Sequence, residues 1–569
     1  MNLCVLSLAS LVALTSADWP TYGYDLANSR HVPLVEISAA NVASLVPAWR
    51  FQTDAAGPME SSPIVVDGAM YVTTADRDGV IALDAATGTV RWQYWPKLGH
   101  FFVCCAKVNR GVAVDDGLVF VATLDGRLIA LDAATGAHRW DVTVGDTREG
   151  FSETGAPLVW NGTVFVGSAG AEFGIRGSYS AYRAADGRLL WRWWATNPGW
   201  EGAYVTTVHG YSLHRDITAE RADATRYRDA WRHGGGTVWM TPALDPAHAM
   251  LYISTGNPSP DFNARSRPGD NLYTDSIVAL DARIGRMRWY YQETPHDMWD
   301  YDAASPPFLM DALDRRGRRV AAVGEAGKSG WVYLLDRDSG AELHVSENLV
   351  PSRRVYPPRS PAIINPGGPG GALGPVSYDP SLRLAFVAAT DRPDEWRSET
   401  APPRKLGVKW MAGSMRPLRY SLNSLVAVSP DTGHIVWRRH LSGGPGERFN
   451  LGFISGSLSA GDLVFVGEPN GVFFALDARD GSVLWRYDLN IHGAEHAQPE
   501  PSTWQRLADF ISGLFHVAPS PAPPPAVTAR IDAPPVRYVV NGREYIALCV
   551  DVTTGDLERN VVMAFALPR

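Results

Sequence analysis

The chain has 569 residues, of which 45% are hydrophobic and 20% charged, so it has enough apolar mass for a large core. Its 54 glycines and 41 prolines favour many tight turns over a helical bundle. The net charge of −8 offers no basic surface for nucleic acid, and beyond the first residues no apolar run is long enough for a transmembrane domain.

The N-terminus is mostly apolar over residues 3–14, and Thr15, Ser16 and Ala17 are small residues before Asp18. This pattern predicts a signal peptide over residues 1–17, although the first two residues supply no basic side chain. The alternative is a short buried strand. A cleaved signal would make the mature protein periplasmic or secreted.

A segment of the form A-x-D-x-x-x-G-x-x-x-W, preceded by an apolar stretch, recurs along the chain. Each copy predicts a strand, a tight turn and a second strand. The copies begin at Ala82, Ala130, Ala181, Ala279, Ala427 and Ala475, and a degenerate copy begins at Leu334.

The glycines of successive copies lie 48, 51, 98, 55, 93 and 48 residues apart. Periods near 50 are typical of β-propeller blades with four short strands, so the long gaps predict insertions near 193–236 and 345–420. Half copies at 45–49 and 562–567 predict an eighth blade built from both termini, which leaves no free sheet edge. The sequence therefore predicts an all-β, eight-bladed β-propeller over residues 18–569, with its repeat tryptophans packed between blades.

The chain has four cysteines, of which Cys104 and Cys105 are adjacent, Cys4 lies in the predicted signal and Cys549 in an apolar strand. Adjacent cysteines have Cα atoms about 3.8 Å apart, so a disulfide between them would be strained. An accidental pair of buried thiols is the alternative. No C-x-x-C-H motif is present to attach a c-type haem.

The repeats and the segments between them resemble the quinoprotein alcohol dehydrogenases, eight-bladed propellers that bind pyrroloquinoline quinone (PQQ). The resemblance runs from Trp19 to nearly Leu567. It implies that a Cys104–Cys105 disulfide lies on one face of the quinone and that Trp239, in GGGTVWMTP, stacks on the other. The alternative for Trp239 is one more core tryptophan.

The same resemblance implies a metal site formed by Glu172, Asn257 and Asp300. Their oxygens suit a hard cation such as Ca²⁺ rather than zinc. Asp300, and not Asp297, matches the catalytic aspartate of the family. In an extended segment both Asp300 and Asp302 would face one cation. An aspartate two positions after the catalytic one also resembles the mark of lanthanide-dependent members of the family. The alternative is that Asp302 anchors its loop through backbone hydrogen bonds.

Further residues match cofactor ligands of the family, and basic and small polar groups suit a tricarboxylate such as PQQ. These residues are Glu60, Arg110, Thr154, Ser168 and Lys328, with the backbone of Gly170 and Ala171. For each one, a hydrogen-bonded turn residue is the alternative. Ala372 and Leu373 stand where the family carries an Asn-Trp pair and cannot supply a side-chain hydrogen bond, so the substrate side of the pocket is expected to differ from that of the family.

The sequence thus predicts a PQQ-dependent dehydrogenase that oxidises a primary or secondary alcohol to the carbonyl. The resemblance implies that Asp300 takes the hydroxyl proton, that the cation polarises the quinone and that the quinone accepts the hydride. Lys328 and Arg110 stabilise the reduced quinone, whose electrons pass to an external acceptor such as cytochrome c. The alternatives are a sugar or polymeric-alcohol dehydrogenase and a non-enzymatic propeller of outer-membrane assembly.

A further insertion is predicted near 498–528. Its apolar residues recur at helical spacing, and an APSPAPPPA tether follows. These residues are Trp504, Leu507, Phe510, Ile511, Leu514 and Phe515. The predicted helix either covers a blade or docks an electron acceptor or a membrane face.

Overall fold

The structure, a computed structural model, describes residues 18–33, 36–350, 354–418, 421–441, 455–492, 527–554 and 557–569. The predicted signal peptide and the predicted helix between Trp504 and Phe515 lie outside these ranges. Within them, no helix has the length and apolarity needed to cross a membrane.

The described residues form eight sheets of four or five strands, which is the number of blades that the sequence predicts. Sheet 1 contains Ile64–Val66, Ala69–Thr73, Val80–Asp84 and Val90–Tyr94. Sheet 2 contains Val112–Asp115, Leu118–Thr123, Arg127–Asp132 and His138–Thr143. Sheet 3 contains Leu158–Trp160, Thr163–Gly167, Ser178–Arg183 and Leu189–Trp194. Sheet 4 contains Ala243–Asp245, Met250–Ser254, Ser276–Asp281 and Met287–Gln292.

The next two sheets have the same antiparallel order. Sheet 5 contains Phe308–Leu313, Arg319–Ala326, Val332–Asp336 and Glu342–Val345. Sheet 6 contains Ser377–Asp379, Leu384–Asp391, Leu422–Val428 and Ile435–His440.

The last two sheets include strands from the N-terminal part of the chain. Sheet 7 contains Ser457–Ala460, Leu463–Gly467, Val472–Asp477 and Val483–Asp488, and His31–Val32 pairs with it in parallel. Sheet 8 contains Val46–Gln52, Leu557–Ala566, Arg543–Thr554, Val527–Arg530 and Val536–Val540.

Sheet 8 confirms the predicted pairing of the two chain ends. The strand Val46–Gln52 is antiparallel to Leu557–Ala566, and Trp49 lies opposite Ala564. The alanine and the tryptophan of complete repeats are paired in the same way, as Ala279 and Trp289 are in sheet 4. The two half copies therefore combine into one unit with the register of an intact repeat.

The repeat tryptophans connect each sheet to the next, as the sequence predicts. Each of six donates its indole N–H, at 2.9–3.1 Å, to a backbone carbonyl in the turn of the following repeat. These tryptophans are Trp49, Trp92, Trp140, Trp191, Trp289 and Trp437. The degenerate repeat has His344 in place of the tryptophan. Gly433, the repeat glycine of the next sheet, therefore packs against the backbone at Val345 and not against an indole ring.

Repeat glycines are required by the same contacts. Gly88 has a φ of 71°, in the left-handed region, and a Cβ there would lie 2.5 Å from the Trp49 ring.

Apolar cores lie between successive sheets. Sheets 3 and 4 share one cluster of buried side chains, and sheets 5 and 6 share another. The chain is therefore an all-β propeller.

Two segments between strands add elements outside these sheets. Residues 193–236 include the hairpin Thr207–Val208 and Tyr211–Ser212, the helix Ile217–Asp223 and the 3₁₀ turn Ala230–His233. The predicted insertion 345–420 is too broad, because it contains the first two strands of sheet 6 as well as a separate sheet. The sequence repeat marks only the outer strands, so those inner strands carried no signal. The separate sheet contains Ala362–Ile364, Asp394–Ser398 and Gly413–Pro417.

The remaining helical elements are short. They are the helix Leu489–His492 and the 3₁₀ turns Val42–Ser44, Thr147–Glu149 and Ala171–Phe173. The last of these turns carries Glu172, one of the predicted metal ligands.

Candidate active site

The predicted site residues occupy two equivalent positions in the sheets. Some precede the first strand of sheets 1 to 5, and the others follow the second strand of sheets 3 to 5. In an antiparallel pair the start of the first strand and the end of the second lie at the same edge. The repeat therefore presents all these residues at one edge of successive sheets.

Arg110 is the centre of one group of predicted cofactor ligands. Its guanidinium forms an ion pair with Glu60 at 2.7 Å and donates to the Thr154 hydroxyl at 3.1 Å. It also lies over the ring of Trp239, 5.0 Å from the ring centroid. Burial raises the pKa of Glu60 even though Arg110 opposes the shift. Four residues from four different loops are thus brought together by one buried cation.

Lys328 is the centre of a second group. Its ammonium donates to Asp300 at 2.9 Å and lies 2.6 Å from the Asp302 carboxylate. The other Asp302 oxygen accepts the Asn257 backbone N–H at 2.5 Å. Burial raises the pKa of Asp300 to about 8, with Lys328 acting against the shift and Asp302 adding to it. Burial opposes the charge of Lys328, but the two carboxylates outweigh it and hold its pKa above the ordinary value.

The backbone around Asp300 is a turn and not the extended segment considered from the sequence. Asp300 has a φ of 64°, a conformation that residues other than glycine seldom adopt. The Asp297 carboxylate accepts the backbone N–H groups of Trp299 and Tyr301 at 3.0 and 3.1 Å and so holds this turn. Asp300 and Asp302 nevertheless contact the same ammonium, so the turn produces the convergence that was expected from an extended segment.

The adjacent cysteines form the disulfide that the family resemblance implies. Cys105 is exposed, and its sulfur lies 4.0 Å from a carboxylate oxygen of Glu172. Burial raises the pKa of Glu172, and Asp302 adds to that shift. Glu172 thus lies between the disulfide and the Lys328 group.

Gly256 joins the two groups. A Cβ at this position would lie 2.8 Å from an Asp302 oxygen and 3.3 Å from the indole nitrogen of Trp239. The disulfide, Glu172, Asp302 and Trp239 are therefore successive neighbours in one site.

Other predicted ligands have local partners. The hydroxyl of Ser168 lies 3.3 Å from the Ser178 carbonyl and accepts the Ser178 N–H at 3.0 Å, which satisfies it within its own turn. Gly170 has a φ of 114°, and the carbonyl of Ala171 accepts the Ser259 hydroxyl. Ala372 is buried in the core of sheets 5 and 6, and its N–H donates to Gly327 beside Lys328. The Gly-rich loop therefore reaches the site through its backbone.

Sequence reasoning missed Asp261. This residue is 1% exposed, and its Oδ1 has no hydrogen-bond partner among the described residues. Burial raises its pKa well above the usual range, and the carboxylates of Glu172, Asp300 and Asp302 raise it further. The available signal was its place four residues after Asn257, in NPSPDF, which no repeat explains.

The site has the chemistry that a hard cation and an anionic quinone require. Carboxylates at Glu172, Asp300 and Asp302 exceed the neighbouring ammonium in charge, and oxygen donors of this kind favour Ca²⁺ or a larger hard ion. Arg110 and Lys328 supply cations for a tricarboxylate. These residues therefore fit both groups.

Comparisons with known proteins agree with this geometry. A family model described as glucose/ethanol/alcohol dehydrogenase, beta-propeller domain, matches residues 19–363, and one described as outer membrane protein assembly factor BamB matches 422–503. Quinohemoprotein alcohol dehydrogenase of Comamonas testosteroni is 35% identical over 511 residues, which cover 83% of this chain and 69% of that protein. Quinoprotein alcohol dehydrogenase PedH of Pseudomonas putida is 32% identical over 520 residues, covering 85% and 83%.

A solved europium-containing methanol dehydrogenase has the same fold, with a TM-score of 0.78 at 26% identity, covering 97% of this chain and 98% of that one. The chain belongs to the quinoprotein alcohol dehydrogenase family. The names of these relatives favour the alcohol dehydrogenase prediction over the sugar dehydrogenase and the assembly propeller, and the assembly-factor match is confined to part of the repeats.

Proposed function

We propose that this protein is a PQQ-dependent dehydrogenase that oxidises a primary or secondary alcohol in the periplasm or outside the cell. The convergence of Asp300 and Asp302 on Lys328, beside Glu172 and the disulfide, is the observation that carries the proposal. When bound, PQQ supplies a hydride acceptor and the cation supplies a Lewis acid.

Asp300 is the general base in this proposal. Lys328 donates to its Oδ1 at 2.9 Å, which leaves Oδ2 to accept the proton of the substrate hydroxyl. Lys328 also favours the ionised form that a base requires. Its ammonium therefore both orients and activates the carboxylate.

The other residues bind and orient. Glu172, Asn257, Asp300 and Asp302 hold the cation, a Ca²⁺ or a lanthanide ion. Arg110, fixed by its ion pair with Glu60, binds a carboxylate of the quinone, and Trp239 and the Cys104–Cys105 disulfide supply apolar contacts for its flat faces. Thr154, Ser168, Gly170 and Ala171 complete this set of cofactor contacts.

Electrons leave to a separate acceptor, for which we propose a cytochrome c. The chain has no C-x-x-C-H motif of its own, so the haem must come from another polypeptide or domain.

The test is dye-linked alcohol oxidation by apoprotein reconstituted with PQQ and either Ca²⁺ or La³⁺. We expect Asp300→Asn to bind PQQ, as judged by its absorption spectrum, and to lose activity by at least about 10³-fold. Asp338→Asn, at an exposed turn, is the matched control. Undiminished activity in Asp300→Asn would refute the base assignment, and absence of any PQQ spectrum in the wild type would refute the function.

A further inference from the structure

Asp261 is a buried carboxylate to which the proposed reaction assigns no task. Its Oδ1 is buried and has no hydrogen-bond partner within the described ranges. A buried carboxylate without a partner is costly, and native structures normally pair such a group with a hydrogen-bond donor or a cation. The neighbourhood therefore has to be searched for what compensates it.

Arg267 is the nearest candidate within the fold, and its donors are used elsewhere. Its side chain is fully buried and donates to the backbone carbonyls of Pro260, Asp261 and Asp297 and to the side chain of Asn271. The guanidinium thus holds the backbone of Asp261 without being hydrogen-bonded to its carboxylate. Arg267 fixes the loop and leaves Asp261 Oδ1 unsatisfied.

Backbone contacts on both sides of Asp261 place it beside the metal ligands. Ser259 donates its hydroxyl to the carbonyl of Ala171, next to Glu172. On the other side, the backbone N–H of Phe262 donates to the carbonyl of Met411. The backbone N–H of Trp410, the residue before Met411, donates to the carbonyl of Glu172 at 2.6 Å. The loop from Asn257 to Asp261 is thereby closed around Glu172.

We infer that Asp261 is a further anionic oxygen donor of the cation site and that it shifts the preference of this site from divalent to trivalent ions. The inference rests on the proposed function, because it assumes the same cation. With Asp261, the neighbourhood contains four carboxylates and one ammonium, that of Lys328, which is paired with Asp300 and Asp302. A trivalent ion balances this charge excess and a divalent ion does not. Their mutual electrostatic influence, seen in the raised pKa of Asp261, agrees with this placement.

The size of the effect follows from Coulomb's law. The interaction of one carboxylate with a trivalent ion is about 1.5 times its interaction with a divalent ion at the same distance. If removing the charge of Asp261 weakens Ca²⁺ binding by about tenfold, it should weaken La³⁺ binding by about thirtyfold. The ratio of the two affinities is therefore the quantity to measure.

The experiment is calorimetric titration of the full-length apoprotein with Ca²⁺ and with La³⁺, in the absence of PQQ and substrate. The variants are Asp261→Asn and Asp261→Ser, with Glu172→Gln as the positive control and Asp338→Asn as the surface control. Because asparagine is isosteric and uncharged, apo Asp261→Asn should unfold in urea at a midpoint no lower than that of the wild type. That measurement separates a loss of binding from a loss of folding.

We expect both Asp261 variants to lose affinity for La³⁺ by about thirtyfold, and by more than they lose for Ca²⁺. Equal losses for the two ions would overturn the inference, as would affinities of the Asp261 variants equal to those of Asp338→Asn. If Glu172→Gln binds the ions more weakly than the wild type in the same experiment, the proposed function still stands. If the wild type binds neither ion, or Glu172→Gln binds as tightly as the wild type, the proposed cation site itself fails.

Discussion

Replacing Lys328 with methionine removes the ammonium that Asp300 and Asp302 share. The Lys328 side chain is only 10% exposed, and its nitrogen lies 2.9 and 2.6 Å from the two carboxylates. Breaking a buried ion pair by removing one partner typically costs about 3–5 kcal/mol. Methionine keeps most of the volume of the side chain, so the loss of charge dominates the effect.

The loss depends on pH, because the carboxylates can take up a proton. Burial already raises the pKa of Asp300 to about 8 while Lys328 holds it down, so removing Lys328 raises it further. A carboxyl with a raised folded-state pKa stabilises the fold below its unfolded pKa and loses that contribution as the pH rises through the folded value. The titration of Asp300 should therefore add a destabilisation of Lys328→Met that is absent at pH 6 and reaches about 1.4 kcal/mol at pH 9, one pH unit above the wild-type folded pKa of about 8. The loss of the Lys328–Asp302 pair destabilises the variant at both pH values.

Urea unfolding of the apoprotein at pH 6 and pH 9 measures this difference, with Lys405→Met, at an exposed position, as the control. The same variant should bind Ca²⁺ more tightly than the wild type, because a positive charge no longer competes with the ion, and yet oxidise alcohol poorly. Equal stability of Lys328→Met and the wild type at both pH values would show that the ion pairs do not form and would refute this reasoning.

Four other substitutions test separate parts of the structure. Gly256→Ala should weaken Ca²⁺ binding by at least about tenfold in a calorimetric titration, because its Cβ would lie 2.8 Å from an Asp302 oxygen; unchanged binding would contradict the geometry. Trp239→Ala should raise the dissociation constant of PQQ by at least about tenfold in a spectral titration, through lost ring contact, whereas Trp239→Phe should retain part of the affinity. Asp302→Ala should lose activity with La³⁺ selectively over activity with Ca²⁺; equal La³⁺ activity in both proteins would eliminate a lanthanide role. Gly88→Ala should lower the free energy of unfolding by about 2 kcal/mol or more, since a Cβ would meet the Trp49 ring at 2.5 Å in left-handed backbone; a wild-type urea midpoint would exclude that contact.

The fold was largely predictable because the repeat encodes its own contacts. The tryptophan at the end of one copy packs its ring against a glycine of the next copy and donates its indole N–H to a carbonyl there. Both the glycine and the carbonyl occur at fixed positions of A-x-D-x-x-x-G-x-x-x-W. The inner strands of sheet 6 were not predicted, because the repeated motif covers only the two outer strands of each sheet. Ser377–Asp379 and Leu384–Asp391 were therefore included in an insertion.

The site was predictable only in part, for a different reason. Residues such as Glu172 and Lys328 were predicted as site residues because they stand in motifs that match a family, and the structure brings them to the same edge of sheets 3 and 5. Asp261 was missed although it stands four residues after Asn257, because its lack of a partner depends on which donors Arg267 uses, and hydrogen-bond assignment is a property of three-dimensional packing. The backbone at Asp300 was also out of reach, because a φ of 64° leaves no mark in the residue type.

The arrangement of the site explains how one repeat can support a chemistry that needs many different side chains. The repeated part of each unit, in which Trp92 of one sheet contacts Gly136 of the next, lies in the outer strands and determines how sheets are joined. The residues of the candidate site lie at the inner strands of the same units, before the first strand and after the second. Substitution at Asp261 or Asp302 can therefore change the charge of the site without disturbing the contacts between sheets, and ion preference can vary while the propeller stays the same.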